Sequence, residues 1–343
     1  MPRNPAILDS SVVLFLGAGA SYPLGKALMQ PFVAKLQGTI KEGGTNDLLN
    51  ILIRLRSPDL EAILGELDTL IGLDYANSIS CHDPRAGVSG FSISNAVNLR
   101  STIEHEVIRE YRTVPPETTV KLFEPLFDLV FSHVEPGAKC LPVFTTNYDP
   151  AIETFCARKY REYQITDGFH YDEAMREHYW EENVFDSFRL IESKRNIVLF
   201  KLHGAVDWLF VKSANKIRRA PAMYDKMDSD EYQNVLIYPA TRKIAVDEPY
   251  FTAYDYYQKC CERAKLCLSI GYSFRDYDAL TRLRGAMAGN PELRLALLSP
   301  NAQAVLERLP IAQDRRLPLS FNFGNDPQVK DYLAAITQLL PKT

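Results

Sequence analysis

The sequence predicts an α/β protein: a doubly wound, mainly parallel sheet carrying a large helical insertion. Three observations predict it. Short apolar runs that suit strands buried on both faces recur at Val12–Leu16, Leu141–Thr145, Ile197–Leu202, Leu266–Ile270 and Leu293–Leu298. Segments with apolar residues at helical spacing separate them, the alternation expected of right-handed crossovers. The polar signatures GAGAS, TTNYD, KLHG, GYSF and SPN each fall just past one of these runs. They therefore stand at carboxyl ends of strands, where such sheets bind ligands.

Val12–Leu16 opens directly into Gly17, Ala18, Gly19, Ala20 and Ser21. A backbone this small can approach a ligand closely and aim N–H groups at a diphosphate beside a helix N-terminus, or simply make a tight turn. Ser21 suits a helix cap or a ligand contact. The full dinucleotide fingerprint asks for a third glycine where Tyr22 stands, and for an acidic residue about 20 residues on at the end of a second strand. No such acidic residue ends a clear strand here. Pro23–Leu36 reads as a helix, broken after Gly38 and Gly43. Ser57 and Pro58 form a start signal for the stripe Leu60, Ile63, Leu64, Leu67. Residues 81–92 read as a loop; Val97, Ile103, Val107 and Val120, Phe123, Phe127, Val130 make two more helical faces. Residues 38–135 are thus expected as a mainly helical insertion between the first two sheet strands.

Leu141–Thr145 runs into Thr146, Asn147, Tyr148, Asp149 and Pro150, then a helix to about Lys159. Residues 160–195 show no firm period and read as irregular or short-helical. Ile197–Leu202 ends in His203 and Gly204; Val206–Val211 is expected to pair with Val235–Tyr238, making residues 205–240 a small antiparallel excursion. Phe251–Lys265 reads as a helix, Leu266–Ile270 as a strand ending in Gly271, and Asp276 as the start of a helix carrying Leu280 and Leu283. Leu317–Phe323 is expected as an edge strand and Asp326–Leu340 as a closing helix.

With 46% hydrophobic and 24% charged residues, the 343-residue chain reads as an ordinary globular protein. A formal net charge of −4 offers no basic footprint, so no direct nucleic-acid binding is expected. No apolar run approaches a membrane span and the N-terminus has no signal-peptide region, which points to a cytoplasmic protein. None of the six cysteines forms a pair at CxxC spacing, so reduced buried thiols are expected rather than a zinc ribbon.

The amide of Asn147 can donate to one ligand group and accept from another, or close an Asx turn. Asp149 suits an N-cap or a loop anchor. His203, an imidazole beside a glycine at a strand end, can serve as a general base or as a paired structural histidine. The histidines at 82, 105, 133, 170 and 178 have no comparable placement.

Gly17–Ser21, Thr145–Asp149, Lys201–Gly204 and Gly271–Phe274, in that order, resemble the sirtuin family, and specifically its bacterial anti-phage branch. The resemblance covers about residues 10 to 305 and implies a Rossmann-like, sirtuin-like NAD-binding domain over the whole chain, 1–343. It implies NAD+ as the substrate. Gly17, Ala18, Gly19, Ala20 and Ser21 would hold the diphosphate region, Gly271 and Ser273 the phosphates, and Asn301 the adenosine ribose. The counterpart of His203 is the base at the nicotinamide-side ribose, Asn147 orients the ribose or a water, and Asp149 fixes local geometry. Thr146, which would also contact the cofactor, stands where the family usually has glutamine.

The interval between KLHG and GYSF has no cysteine pair at ligand spacing, so the excursion at 205–240 stands where sirtuins carry a zinc module. No metal is expected, and protein deacylation is disfavoured. The resemblance implies an NAD+ hydrolase releasing nicotinamide and ADP-ribose, acting as the NAD-depleting effector of an anti-phage system by abortive infection. It further implies a homo-oligomer, with a separately encoded partner such as a HerA-like ATPase. An NAD+ or ADP-ribose sensor without turnover, or a deacylase or ADP-ribosyltransferase, are the alternatives.

Overall fold

The computed structural model describes residues 3–40, 43–56, 59–77, 93–133, 140–220, 231–236 and 248–341. The expected start signal at Ser57 and Pro58 and the expected loop at 81–92 lie outside the described residues. The chain divides into a sheet unit and a helical unit, the latter formed by Lys26–Tyr111 with a short later segment.

The strands are β1 (Val12–Leu16), β2 (Cys140–Thr145), β3 (Tyr163–Thr166), β4 (Phe169–Asp172), β5 (Glu177–Trp180), β6 (Arg195–Lys201), β7 (Gly204–Val211), β8 (Lys216–Arg219), β9 (Tyr232–Leu236), β10 (Leu266–Ile270), β11 (Arg294–Leu298) and β12 (Arg316–Leu319). Seven form one sheet in the order β12-β11-β10-β1-β2-β6-β3, and every pairing in it is parallel. The strand order reverses at β1, which has β10 on one side and β2 on the other. The doubly wound α/β architecture is therefore as the sequence predicts, and its switch point lies beside β1.

The helices of the sheet unit are α1 (Pro5–Leu8), α2 (Ala18–Ser21), α7 (Pro116–His133), α8 (Ala151–Arg158), α9 (Asn183–Asp186), α10 (Tyr250–Arg263), α11 (Tyr277–Gly289), α12 (Ala302–Glu307) and α13 (Val329–Leu339); the helical unit holds α3 (Met29–Thr39), α4 (Gly43–Arg56), α5 (Leu60–Asn77) and α6 (Ile93–Tyr111). Side chains alternate across the sheet. Val12, Leu14 and Leu16 enter a core with Phe123 and Phe127 of α7, Phe155 of α8 and Ile336 of α13. Val13 and Phe15 enter another with Tyr257 of α10, Leu283 of α11 and Val305 of α12. Two apolar faces explain why β1 reads as an unbroken hydrophobic run.

Within the expected insertion at 38–135, α7 packs on the sheet, because its stripe joins the core around Phe155 and Tyr163. The helical unit instead begins earlier and includes α3. Pro23–Leu36 is not one helix: Gly25, at φ +80°, ends a short 3-10 turn in the left-handed region, and α3 starts at Met29. Residues 160–195 contain three four-residue strands, too short and too aromatic to give a legible period.

The second sheet has the order β4-β5-β8-β7-β9 and is antiparallel. Its β7–β9 pair matches Val211 with Tyr232, placing the expected partner strand slightly earlier than Val235–Tyr238; positions 237 and 238 lie outside the described residues. No helix among the described residues is long and apolar enough to cross a membrane.

Candidate functional site

The loops after β1 and β10 lock together at the switch point. Gly17 N donates to Ile270 O and Gly19 N to Gly271 O, both at 2.9 Å. A Cβ on Gly17 would lie 2.6 Å from Tyr272 Cα, and one on Gly19 would lie 2.7 Å from Gly271 Cα. Gly271 itself has φ +64°, a conformation that favours glycine. The small residues that suggested close approach to a ligand thus serve first to let one backbone pass another. Ala18 is exposed, whereas the Ala20 side chain is in the core and its N–H donates to Gly17 O at 2.9 Å.

The loop after β2 is tied to the same platform. Thr145 Oγ1 donates to Leu16 O at 3.0 Å and accepts from Asn147 N at 3.0 Å, while Thr146 N donates to Leu16 O at 3.2 Å. Asn147 Nδ2 donates to Gly17 O and to Ser21 Oγ, each at 2.9 Å. Both amide hydrogens are therefore given to the β1 loop, which leaves Oδ1 as the atom of this amide that can accept from a bound molecule. Ser21 ends α2 and makes no side-chain cap; its hydroxyl is the acceptor for Asn147.

Beneath this platform lies a buried ionic group. Asp149, 3% exposed, accepts from Ala151 N at 3.1 Å through Oδ1, an Asx contact one residue outside the Pro150 cap of α8. Its Oδ2 is buried and has no hydrogen-bond partner among the described residues. Lys201 Nζ donates to Asp149 O at 2.5 Å and lies 3.2 Å from Glu153 Oε1. Burial raises the Glu153 carboxyl to about 7, outweighing the pull of Lys201, with Asp207 and Asp167 adding to the rise. Ser21, Asn147, Asp149, Glu153 and Lys201 line a cavity of about 10 Å³, room for a single water-sized molecule.

His203 follows β6 and is 4% exposed. Its Nε2 lies 2.7 Å from Asp276 Oδ2, which also accepts from Tyr254 OH at 2.8 Å. The other oxygen, Oδ1, caps α11 by accepting from Asp278 N at 2.8 Å and Ala279 N at 3.2 Å. Burial pushes the Asp276 carboxyl up, but the bonds from His203 and Tyr254 outweigh it and hold the group below the usual carboxylate range. Just before it, Phe274 adopts φ +55°, unusual for a bulky residue, and turns the chain from β10 into α11. The Tyr148 ring lies 6.4 Å from the His203 ring, linking the two loops.

The sequence marks Asp276 only as a helix start, carries Thr145 and Lys201 only as members of motifs without a role of their own, and gives no signal for Glu153 or Tyr254. The capping signature hid a second role for the same carboxylate, and nothing in the sequence separates Tyr254 from the other tyrosines of α10. Ser273 is exposed on the β10 loop. Asn301 is exposed on the turn after β11, where its Oδ1 accepts from Ser299 Oγ at 2.7 Å. Among the described residues no group of three or more His, Cys, Asp or Glu side chains is arranged to hold a metal ion.

The profile of the SIR2-like domain family matches residues 142–317. No curated protein sequence matches the chain. Among solved structures, a variant of a Sir2 homologue in complex with ADP-ribose is similar at a TM-score of 0.46 and 15% identity, covering 98% of this chain and 94% of that one. A Sir2 homologue in complex with NAD gives a TM-score of 0.43 and 15% identity, covering 97% of this chain and 91% of that one.

Proposed function

The chain belongs to the SIR2-like domain family, and from that premise we propose that it is an NAD+ hydrolase. The reaction adds water across the nicotinamide–ribose bond and gives nicotinamide, ADP-ribose and a proton. The observation that carries this reading is the joining of four strand-end loops, those after β1, β2, β6 and β10, around the switch point. Asn147 bonds the β1 loop through Gly17 and Ser21, and His203 stands on the neighbouring β6 loop with its imidazole fixed.

Bond cleavage at this ribose develops oxocarbenium character, and nicotinamide departs as a neutral amine without a general acid. The demand on the protein is a placed water and a base. Asn147 Oδ1 accepts from that water or from a ribose hydroxyl, and His203 takes the proton. The exposed backbone at Ala18, with Gly19 and Ser273, meets the diphosphate. Asp149 Oδ2, buried and unpartnered, supplies an acceptor at the inner end of the site. The Asn301 side chain, held by Ser299, is the outermost of the proposed contacts.

In this reading the protein depletes NAD+ in the bacterial cytoplasm as an anti-phage effector. It works as a homo-oligomer through its helical unit, with a defence partner such as a HerA-like ATPase. The test is an NMR time course of purified protein with NAD+ and no acceptor, beside His203→Ala. Nicotinamide and ADP-ribose formed by wild type alone support the hydrolase. Saturable binding with NAD+ left intact identifies a sensor, and turnover that requires an added protein acceptor identifies a transferase.

A further inference from the structure

We propose that Asp276 is a positioning residue that holds His203 in the Nε2–H tautomer, so that Nδ1 is the atom that accepts the proton. The proposal rests on the hydrolase reading for what His203 does, but the assignment of the tautomer stands on geometry alone.

The His203 and Asp276 side chains are 6% and 7% exposed, and Nε2 faces Oδ2 at 2.7 Å. An ionised carboxylate only accepts hydrogen bonds, so the ring nitrogen that meets it must carry the hydrogen. Asp276 is held in that ionised, fixed state from four directions. Oδ2 receives His203 and Tyr254 OH; Oδ1 receives Asp278 N and Ala279 N at the first turn of α11. The helix N-terminus further favours a negative charge there. Tyr272 and Asp278 are the other titratable groups acting near this carboxylate and its tyrosine partner.

In the neutral ring one nitrogen donates and the other holds a lone pair. With Nε2–H committed to Asp276, the lone pair is on Nδ1. When that lone pair takes a proton from the attacking water or a ribose hydroxyl, the resulting imidazolium sits against a carboxylate. No proton passes to Asp276 itself. Phe274, whose backbone lies in the left-handed region, sets the turn that brings Asp276 back toward His203.

The experiment is ¹⁵N NMR of histidine-labelled protein, reading which nitrogen of His203 is protonated, together with NAD+ turnover and binding. Wild type is expected to show Nε2–H, and Asp276→Asn to switch His203 to Nδ1–H by presenting an amide donor. Asparagine is itself a good N-cap, so α11 is retained. The Asp276→Asn variant should lose about 100-fold or more in kcat with KM within about threefold, the pattern of a wrong tautomer. Tyr254→Phe keeps the cap and the carboxylate, so His203 should stay in the Nε2–H form and turnover should fall by less than in Asp276→Asn.

Wild-type His203 protonated at Nδ1, or a tautomer unchanged in Asp276→Asn, would overturn the assignment. Full turnover by Asp276→Asn would overturn the positioning role even if the tautomer switches. Should wild type bind NAD+ without consuming it, the hydrolase reading fails, while the tautomer readout still decides the His203–Asp276 pair.

Discussion

Asn147 and His203 follow neighbouring strand ends: Thr145 pairs with Lys201 in register across β2 and β6, and each of the two lies two residues beyond that pair in the chain. The parallel register therefore brings an amide and an imidazole to the same edge of the sheet, and Leu202 N donates to Thr145 O at 2.8 Å just past the register.

Under the proposed function, Asn147→Ala is expected to lower NAD+ turnover by about 100-fold or more, as for loss of a group that orients the reacting atoms. It also removes two hydrogen bonds that close the β1 loop, costing about 1–3 kcal/mol of stability. Turnover assays beside urea unfolding separate the two effects. Turnover near the wild-type level in a folded variant would remove Asn147 from the mechanism.

The Lys201–Glu153 pair makes stability depend on pH. Glu153 titrates at about 7 in the folded protein against 4.5 for an ordinary glutamate, so between those values the folded state keeps a proton that the unfolded chain has lost. Its contribution is full below the lower value and fades as pH rises through the upper one. Relative to wild type, Glu153→Gln should gain about 1–3 kcal/mol on going from about pH 5 to about pH 8. Chemical denaturation at both pH values checks this, and a difference that stays flat would contradict it.

Two glycines should respond in opposite directions to alanine. Gly271 is in the left-handed region, and its Cβ would press on the backbone of Gly19 and Ala20. Gly271→Ala should cost about 2–4 kcal/mol through strain and a displaced loop. Gly38 lies in α3 with nothing near its would-be Cβ. Gly38→Ala should gain about 0.5–1 kcal/mol. Thermal unfolding of the two variants reads the contrast.

Phe127 of α7 is fully buried and packs against Phe155 with ring centroids 4.9 Å apart. Phe127→Ala should cost about 3–5 kcal/mol. Tyr277, 72% exposed at the start of α11, is the control: Tyr277→Ala should stay within about 0.5 kcal/mol. An equal loss in both would mean that α7 does not share the core of the sheet.

The sheet was legible because parallel strands buried on both faces leave continuous apolar runs, and each of the five runs ends where a polar signature begins. The short strands β3, β4 and β5 were not, since four residues give too few alternations to distinguish a strand from a turn. In the candidate site, Asn147, Asp149 and His203 were singled out in the sequence from their places at strand ends. Their partners were not. Ser21 read as a cap or a ligand contact but accepts from Asn147, and Asp276 read as a cap but also faces His203. Such pairings join residues distant in the chain, and local pattern carries no record of them.

The place of β1 also orders events on the ribosome. This strand is made before the other six of its sheet, yet it is the middle one, with Leu14 beside Val143 and Val12 beside Leu266. The carbonyl that receives Gly17 N belongs to Ile270, and the carboxylate that faces His203 belongs to Asp276. A nascent chain stopped short of these residues has neither the locked loop nor the fixed imidazole. Sheets closed by such distant pairs form late. Translation products cut off before α11 thus lack the assembled site, so under the proposed function NAD+ consumption begins only once synthesis has passed that point.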